Sequence, residues 1–342
     1  MSDHPDTVER LEARLARPSP RLVADMQRVE GDIMLLGAGG KMGPTLAMLA
    51  RNALDEAGNA ADVIAVSRFS DAAVERRLTE AGVKTVSADL LDDEQLRALP
   101  DAANVIHMAA MKFGATGQEP RTWAMNTYLP GRVAERFKDS RIVAFSTGNV
   151  YPLTPLASGA PAEGDPTGPI GEYAQSCLGR ERMFEYFSHL HGTPVALLRL
   201  NYAIELRYGV LVDIALAVHE QRPLDLAMGH VNVIWQGDAN EIALRALLHC
   251  STPPTVFNVT GPETASVRSL AVRLGARMGT EPRFVGEEAS SALLNDASRS
   301  HALFGYPSVA LDTMLDWVAA WVAAGGETSG KPTKFQVRTG AF

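Results

Sequence analysis

Asp32-Ile-Met-Leu-Leu-Gly-Ala-Gly-Gly-Lys-Met-Gly43 is a stretch in which an apolar strand pattern runs directly into a glycine loop. A helical pattern follows over residues 44–52, so the loop is predicted to join the end of a buried strand to the start of a helix. Glycines at such a junction let the backbone approach a pyrophosphate, whose charge the helix N-terminus stabilises. The segment therefore predicts dinucleotide binding, although a tight strand-to-helix turn without a ligand would show the same residues.

Strand and helix patterns alternate after this loop. Strand patterns occupy residues 63–66, 85–87, 105–107, 142–145 and 195–200, with helical patterns between them. This alternation predicts an α/β fold, a Rossmann-like doubly wound parallel sheet. Beyond residue 203 it fades into helical segments at 210–221, 238–250, 266–278 and 310–324. We therefore expect an N-terminal helical extension over residues 1–30, an NAD(P)-binding Rossmann domain over 31–202, and a smaller, mainly substrate-binding region over 203–342 that is interleaved with the last strands.

Composition excludes several classes of protein. The 342 residues carry a net charge of −8, which argues against nucleic acid or an anionic membrane surface as a partner. Two cysteines, Cys177 and Cys250, provide neither a disulfide framework nor the spacing of a zinc site. No apolar run reaches the roughly 20 residues that span a bilayer, and the first residues do not resemble a signal peptide. We expect a cytoplasmic protein without a metal.

The end of the second strand pattern bears on the choice of cofactor. An acidic residue there would hold the ribose 2′-hydroxyl of NAD, whereas an arginine would accept the 2′-phosphate of NADP. The sequence has Ser67 and Arg68 at this point, and Lys41 in the glycine loop. These residues favour NADP(H), with NAD(H) as the alternative. Asp89 and Leu90 follow the third strand pattern, where the carboxylate would contact the adenine or begin a helix.

Taken together, these segments resemble the extended short-chain dehydrogenase/reductase family, in particular its NAD(P)-dependent epimerase/dehydratase group, over about residues 32–260. The motifs that carry the resemblance are Gly37-x-x-Gly40-x-x-Gly43, Val105-Ile-His-Met-Ala-Ala110, Asn126, Phe145-Ser-Thr147-Gly-Asn-Val-Tyr151 and Tyr173-Ala-Gln-Ser176. The resemblance implies that Tyr173 is the catalytic acid/base, that Thr147 orients the substrate oxygen, and that Asn126 supports the site. It also implies cofactor contacts from Gly37, Gly39, Gly40, Lys41, Met42, Gly43, Ala109, Ala110, Lys112 and Tyr173.

Two departures from the family pattern affect the predicted chemistry. Gly148 and Asn149 stand where the family's nucleotide-sugar 4,6-dehydratases have Asp-Glu, and because neither can shuttle a proton, that dehydratase reaction is not expected. Cys177 replaces the family's lysine, whose ammonium lowers the pKa of the tyrosine and binds the nicotinamide ribose. Three interpretations remain: Arg180 or Lys112 substitutes for the cation, Tyr173 is poorly activated, or Cys177 acts as a thiolate. A small buried residue that fills space would explain Cys177 equally well.

Candidate substrate contacts are Thr147, Asn149, Asn201, Arg207, Trp235 and Gln236. The predicted function is that of an NAD(P)-dependent oxidoreductase or epimerase acting on a secondary alcohol of a sugar or sugar-like substrate. The alternatives are a catalytically impaired nucleotide-binding sensor and a lyase that uses its bound nucleotide transiently. An apolar stripe of Leu178, Met183, Phe184, Phe187 and Leu190 on one predicted helix suits a homodimer interface or the core. The N-terminal extension is interpreted as a packing or dimerisation arm.

Overall fold

The computed structural model describes residues 4–112 and 117–341, and its centre is a sheet of seven parallel strands. These are β1 (Ile33–Leu36), β2 (Val63–Ser67), β3 (Lys84–Ser87), β4 (Asn104–His107), β5 (Arg141–Thr147), β7 (Val195–Leu200) and β12 (Thr255–Val259). Their order across the sheet is β12-β7-β5-β4-β1-β2-β3. The two halves wind outward from β1 and β4, so a crevice opens above the carboxyl ends of these strands. The predicted Rossmann-like doubly wound sheet is confirmed.

Thirteen α-helices lie in the described residues, and most of them cover the two faces of the sheet or build the C-terminal region. They are α1 (Val8–Leu15), α2 (Pro20–Met26), α3 (Gly43–Glu56), α4 (Ala72–Glu80), α5 (Asp93–Ala98), α6 (Glu119–Trp123), α7 (Leu129–Arg136), α8 (Gly171–His191), α9 (Val210–His219), α10 (Gln236–Arg245), α11 (Val267–Met278), α12 (Ser298–Phe304) and α13 (Leu311–Ala323). Residues Ala124–Tyr128 form a π-helical turn between α6 and α7. The central strands β1 and β4 are buried along their whole length because helices cover both faces.

Short strands build the C-terminal region. They are β6 (Thr154–Pro155), β8 (Ala203–Ile204), β9 (Pro223–Asp225), β10 (His230–Val231), β11 (Ile234–Trp235), β13 (Ala265–Ser266), β14 (Arg283–Val285) and β15 (Ser291–Ala292), paired two by two. A second hydrophobic core lies among α9, α11 and α13. Strand β12 returns from this region to the edge of the main sheet beside β7. None of the helices in the described residues is both long enough and apolar enough to cross a membrane.

The N-terminal extension packs against both parts of the chain. Leu11 and Leu15 of α1 are buried in the C-terminal core, whereas Leu22 and Met26 of α2 are buried in the core beside α3. These contacts are those of a packing arm, and the alternative of a dimerisation arm stays a prediction. Part of the apolar stripe on α8 is likewise internal, since Phe184 is fully buried. Because Leu190 is 56% exposed at the end of that stripe, the homodimer stays a prediction.

Candidate active site

The glycine loop lies tightly against the ends of β1 and β4. Gly37 has a φ of +97°, and a Cβ at this position would lie 2.7 Å from the backbone nitrogen of Ala109. A Cβ on Gly43 would lie 2.3 Å from the carbonyl oxygen of Ala38. Met42 takes the N-cap position of α3, where its side chain makes no capping hydrogen bond. The N-terminus of α3 therefore has no side-chain cap, as is common where a helix N-terminus binds phosphate.

A cavity of about 240 Å³ follows the carboxyl ends of β1, β2, β3 and β4. Its lining includes nine of the predicted cofactor residues, namely Gly37, Gly39, Gly40, Ser67, Arg68, Asp89, Leu90, Ala109 and Ala110. Arg68 is exposed and makes no hydrogen bond or ion pair with any residue that the structure describes. Asp89 accepts a hydrogen bond from the amide of Leu91; it does not begin α5, which Asp92 caps.

Two further residues of this cavity, Arg121 and Met125, escaped the sequence analysis. They belong to α6 and the π-helical turn, which follow β4 in the chain. No local motif distinguishes them from other helical residues. Only the return of the chain across the end of β4 brings them to the cavity.

The prediction for Lys41 was wrong in one respect. Its Nζ donates a hydrogen bond of 3.0 Å to the carbonyl oxygen of Ala203 and lies 4.1 Å from the ring centroid of Tyr208. The side chain lines a second cavity of about 460 Å³ on the other side of the glycine loop. Lys41 therefore points away from Ser67 and Arg68, and as placed it contributes nothing to the discrimination between NADP and NAD at that end.

Tyr173 lies in the first turn of α8, and Thr147 lies at the end of β5. Both are buried, with 9% and 7% of their surface exposed. Burial raises the pKa of Tyr173 far above its ordinary value, the neighbouring Cys177 raises it further, and Arg180 opposes the rise. A hydrogen bond between the side chains of Thr147 and Tyr173 also lowers this pKa. Thr147 Oγ1 accepts from the amide of Asn149 at 3.2 Å as well, so it caps its own backbone while it contacts Tyr173.

Asn126 links the segment after β4 to α8. Its Oδ1 accepts from the amide of Met111 at 2.8 Å, and its Nδ2 donates to the carbonyl oxygen of Met111 at 2.9 Å. The same Nδ2 donates to Ser176 Oγ at 3.0 Å, and Ser176 Oγ donates to the carbonyl oxygen of Tyr173 at 2.8 Å. The amide group thus fixes the distance between the cofactor cavity and the helix that carries Tyr173.

Lys112 completes the group around Tyr173. Its Nζ lies 5.9 Å from the centroid of the Tyr173 ring. Loss of solvation lowers the pKa of Lys112 to about 8, although Cys177 and Asp213 act in the opposite direction. Burial also raises the pKa of the Cys177 thiol, which contradicts the interpretation of Cys177 as a working thiolate. Cys177 is instead a fully buried neutral residue that packs with Val150 and Tyr151.

The predicted substrate contacts divide into two groups. Asn149 and Asn201 are buried near the carboxyl ends of β5 and β7, and Asn201 Nδ2 has no partner among the described residues. Arg207 lines both the second cavity and a third one of about 330 Å³, and it forms ion pairs with Glu12 and Glu205.

Trp235 and Gln236 make packing contacts in this structure. Trp235 is buried in the C-terminal core with its ring against Trp317 at a centroid distance of 5.3 Å. Gln236 is fully buried and donates to Thr45 Oγ1 of α3 at 3.1 Å. Both side chains therefore hold α10 against its neighbours rather than facing a ligand.

Comparisons with known proteins agree with this architecture. A model of the NAD dependent epimerase/dehydratase family matches residues 33–204. The UDP-glucuronic acid 4-epimerase from Bacillus cereus in complex with NAD is similar at 19% identity, over 86% of this chain and 99% of that chain, with a TM-score of 0.71. The UDP-glucose 4-epimerase from Thermotoga maritima with UDP-glucose is similar at 18% identity over the same shares, with a TM-score of 0.69. A search of curated proteins returned no match.

Proposed function

Because the chain belongs to the NAD-dependent epimerase/dehydratase family, we propose that it uses a nicotinamide dinucleotide to oxidise, reduce or epimerise a secondary alcohol of a sugar-like substrate. The observation that carries the proposal is the contact between the hydroxyl groups of Tyr173 and Thr147. The segment that begins at Met108 lines the cofactor cavity, and Lys112 at its end lies beside the ring of Tyr173. The pair is therefore adjacent to the proposed cofactor site. Epimerisation is favoured, since the similar solved structures are epimerases.

The residues of the first cavity fit the cofactor. A Cβ at Gly40 would meet no protein atom closer than Gly37 O at 3.4 Å, and it would occupy space between the two adjoining cavities. Glycine at this position therefore leaves that space open to a ligand. Gly37, Gly40 and the first amides of α3 would hold the pyrophosphate, with Asp89 near the adenine. When bound, the dinucleotide supplies the hydride acceptor and donor.

Tyr173 and Thr147 supply the acid–base chemistry. Thr147 donates a hydrogen bond that orients the oxygen of the substrate, and Tyr173 transfers the proton of the carbinol as hydride leaves or returns. The raised pKa of Tyr173 keeps the phenol protonated in the free protein, ready to donate a proton to a carbonyl. Burial of both hydroxyl groups excludes water from this step.

A dehydratase reaction is not part of the proposal. The space beside Gly148 is filled, because a Cβ there would lie 2.2 Å from Oδ1 of the buried Asn295. An acidic side chain would therefore displace Asn295, whose Nδ2 donates to Asn258 Oδ1 and whose Oδ1 has no hydrogen-bond partner among the described residues. Asn149, the next position, carries no titratable proton.

Substitution of Tyr173 tests the proposal. Tyr173→Phe should lower turnover of a UDP-hexose panel with NAD⁺ or NADP⁺ at least 100-fold, because a positioned acid/base contributes about 10²–10⁴-fold. Binding of the reduced nucleotide, followed by its fluorescence, should change less than twofold. Equal turnover in both proteins would remove Tyr173 from the mechanism. Nucleotide binding by wild type without any turnover would support a sensor, the alternative that Cys177 favours.

Cofactor preference is a finer part of the proposal. Arg68 lines the cavity beside Ser67 and, among the described residues, has no partner to satisfy it, so we propose a preference for NADP(H). The similar UDP-glucuronic acid 4-epimerase from Bacillus cereus was determined with NAD, which makes the test necessary. Arg68→Ala should weaken NADPH binding about tenfold and leave NADH binding unchanged. Arg76→Ala, an exposed arginine of α4, is the matched control. Tighter binding of NADH than NADPH by wild type would refute the preference.

A further inference from the structure

Arg180 of α8 is a buried cation whose hydrogen-bond partners are all neutral. It is 3% exposed. Its Nη1 donates to the carbonyl oxygen of Phe145 at 2.7 Å, its Nη2 to Asn126 Oδ1 at 3.0 Å and its Nε to the carbonyl oxygen of Asn126 at 3.3 Å. Within the described residues no carboxylate lies within ion-pair distance of it. Burying a charge without a counter-ion is costly, so this position requires an explanation beyond packing.

The adjacent acid does not neutralise Arg180. Glu181 is fully buried and pairs with Arg199, with 2.8 Å between Oε2 and Nη2, and it also accepts from Ser146 Oγ at 2.5 Å. Its charge is therefore compensated from β7. Glu181 therefore does not compensate the positive charge of Arg180, which acts on the other groups around it.

Helix geometry directs that charge toward Tyr173. Seven residues separate the two positions, which is nearly two turns, so they share one face of α8. Helical side chains lean toward the N-terminus, and the guanidinium therefore extends back toward Cys177 and Tyr173. In agreement, Arg180 lowers the pKa of both groups against the effect of their burial. It also reinforces the burial that lowers the pKa of His107 to about 3.

We propose that Arg180 is a positioning residue that supplies, from one turn further along α8, the positive charge that the family pattern has at position 177. The role rests on the proposed function, because it acts through Tyr173. The phenol of Tyr173 gives its proton to the substrate carbonyl oxygen as hydride reaches the carbonyl carbon, which leaves a phenolate that the charge of Arg180 stabilises. In the reverse direction this phenolate takes the proton of the substrate hydroxyl as hydride leaves the carbinol carbon. A guanidinium group supplies a fixed positive charge in proteins.

The other charged groups near Tyr173 cannot supply a constant charge. Lys112 approaches the ring of Tyr173 from the segment after β4. Because its pKa is lowered to about 8, it loses its charge when the pH rises slightly above neutral. His107 at the end of β4 stays neutral. Asp213 of α9 is negative when ionised and acts on Lys112. Among the described residues near Tyr173, Arg180 alone carries a positive charge that is both fixed and buried.

The test measures the ionisation of Tyr173 directly and needs no substrate. A ring-fluorinated tyrosine at position 173, whose fluorines bring the phenol pKa into a measurable range, is titrated by fluorine NMR. Arg180→Gln should raise the pH of ionisation by about one unit, because a nearby cation is lost. Arg182→Gln, at an exposed arginine of the same helix, is the control and should leave it nearly unchanged. Lys112→Met should shift it less than Arg180→Gln, since Lys112 is already neutral when the phenol ionises.

Two outcomes would overturn the proposal: equal shifts in Arg180→Gln and Arg182→Gln, or a larger shift in Lys112→Met. If Arg180→Gln fails to fold, the full-length chain with Arg180 in place still provides a test of the proposal. The guanidinium nitrogen signals of Arg180 should then shift across the same pH step as the fluorine signal, and no such step should appear in Tyr173→Phe. Absence of a common step refutes the proposal. Absence of turnover with UDP-glucose and NAD⁺ concerns only the proposed function, because the titration is independent of catalysis.

Discussion

Two glycines of the candidate site have opposite surroundings, and each limits what can approach the reacting groups. Around Gly40, the nearest protein atom to an added Cβ is Gly37 O at 3.4 Å, so the side-chain direction opens into space. Around Gly148, Asn295 occupies that direction. The absence of a side chain leaves space for a ligand in the first case. In the second case it accommodates another part of the protein.

We predict that Gly40→Val blocks nucleotide binding without unfolding the protein. The added methyl groups would extend into the cavity that the cofactor is proposed to fill, and the Cβ that carries them meets no backbone closer than ordinary contact. The dissociation constant for NADH should rise at least tenfold, measured by fluorescence titration, while the Tm changes little. Gly164→Val, at a position with no atom within 4 Å of an added Cβ, should change neither. Unchanged NADH binding in Gly40→Val would place the pyrophosphate elsewhere.

The success of residue predictions depended on whether the backbone alone orients the side chain. Glycines and strand-end residues such as Ser67 and Arg68 reach the cavity because a parallel sheet brings its carboxyl ends to one edge. Trp235 and Lys41 could not be predicted in this way. Their directions follow from contacts with Trp317 and Ala203, more than 80 residues away along the chain. The environment of Arg180 was equally inaccessible, since its acceptors come from β5 and the π-helical turn.

At the scale of elements, α8 approaches the π-helical turn closely enough to determine the position of Tyr173. Gly179 makes this approach feasible: a Cβ there would lie 2.7 Å from Thr127 Oγ1 and 2.9 Å from its Cγ2. Thr127 Oγ1 in turn donates to the carbonyl oxygen of Ser176 at 2.9 Å. The glycine and the threonine therefore act together to hold the helix against Asn126.

Gly179→Ala should destabilise the protein although alanine is the better helix former. The gain in helix propensity is about 1 kcal/mol, whereas overpacking against Thr127 costs about 1–3 kcal/mol. The net loss in the free energy of unfolding should be about 1 kcal/mol by urea denaturation. Gly131→Ala in α7 is the control, because its Cβ would meet flexible atoms of Met183 and Phe187 at 3.4 Å. A stabilised Gly179→Ala would show that α8 can move away from the turn.

Elements with a clear periodicity were predicted well, and the shortest ones were not. The helical patterns at 210–221 and 266–278 correspond to α9 and α11. The two-residue strands of the C-terminal region, such as β8 and β11, have too few residues for alternation to appear in the sequence. Their pairing is determined by the packing of the helices around them.

At the scale of the whole molecule, both ends of the chain pack against the proposed substrate region. Glu12 of α1 forms ion pairs with Arg77 of α4 and with Arg207, so the N-terminal extension connects the two parts. Residues 328–332, together with Phe335, line the third cavity near Asp213. The C-terminal segment is fastened there by Thr333, whose amide and hydroxyl both donate to Asp213 Oδ2, at 2.7 and 2.6 Å.

The contribution of this Asp213–Thr333 contact to stability should depend on pH. Two substitutions should reveal the dependence, because they should change the Tm in opposite directions. Burial raises the pKa of Asp213, although the Thr333 hydrogen bonds oppose the rise. A carboxyl group whose pKa is raised by folding stabilises the fold below its unfolded value of about 4, and that contribution is lost as the pH rises through the folded value. Asp213→Asn keeps an acceptor for Thr333 without a buried charge, so its Tm should match wild type near pH 4 and exceed it increasingly at higher pH. Thr333→Val removes a charge-assisted hydrogen bond, so its Tm deficit should grow over the same range. Thermal unfolding from pH 4 to 9 measures both, and Tm differences that stay constant with pH would mean that Asp213 does not change its charge in this contact.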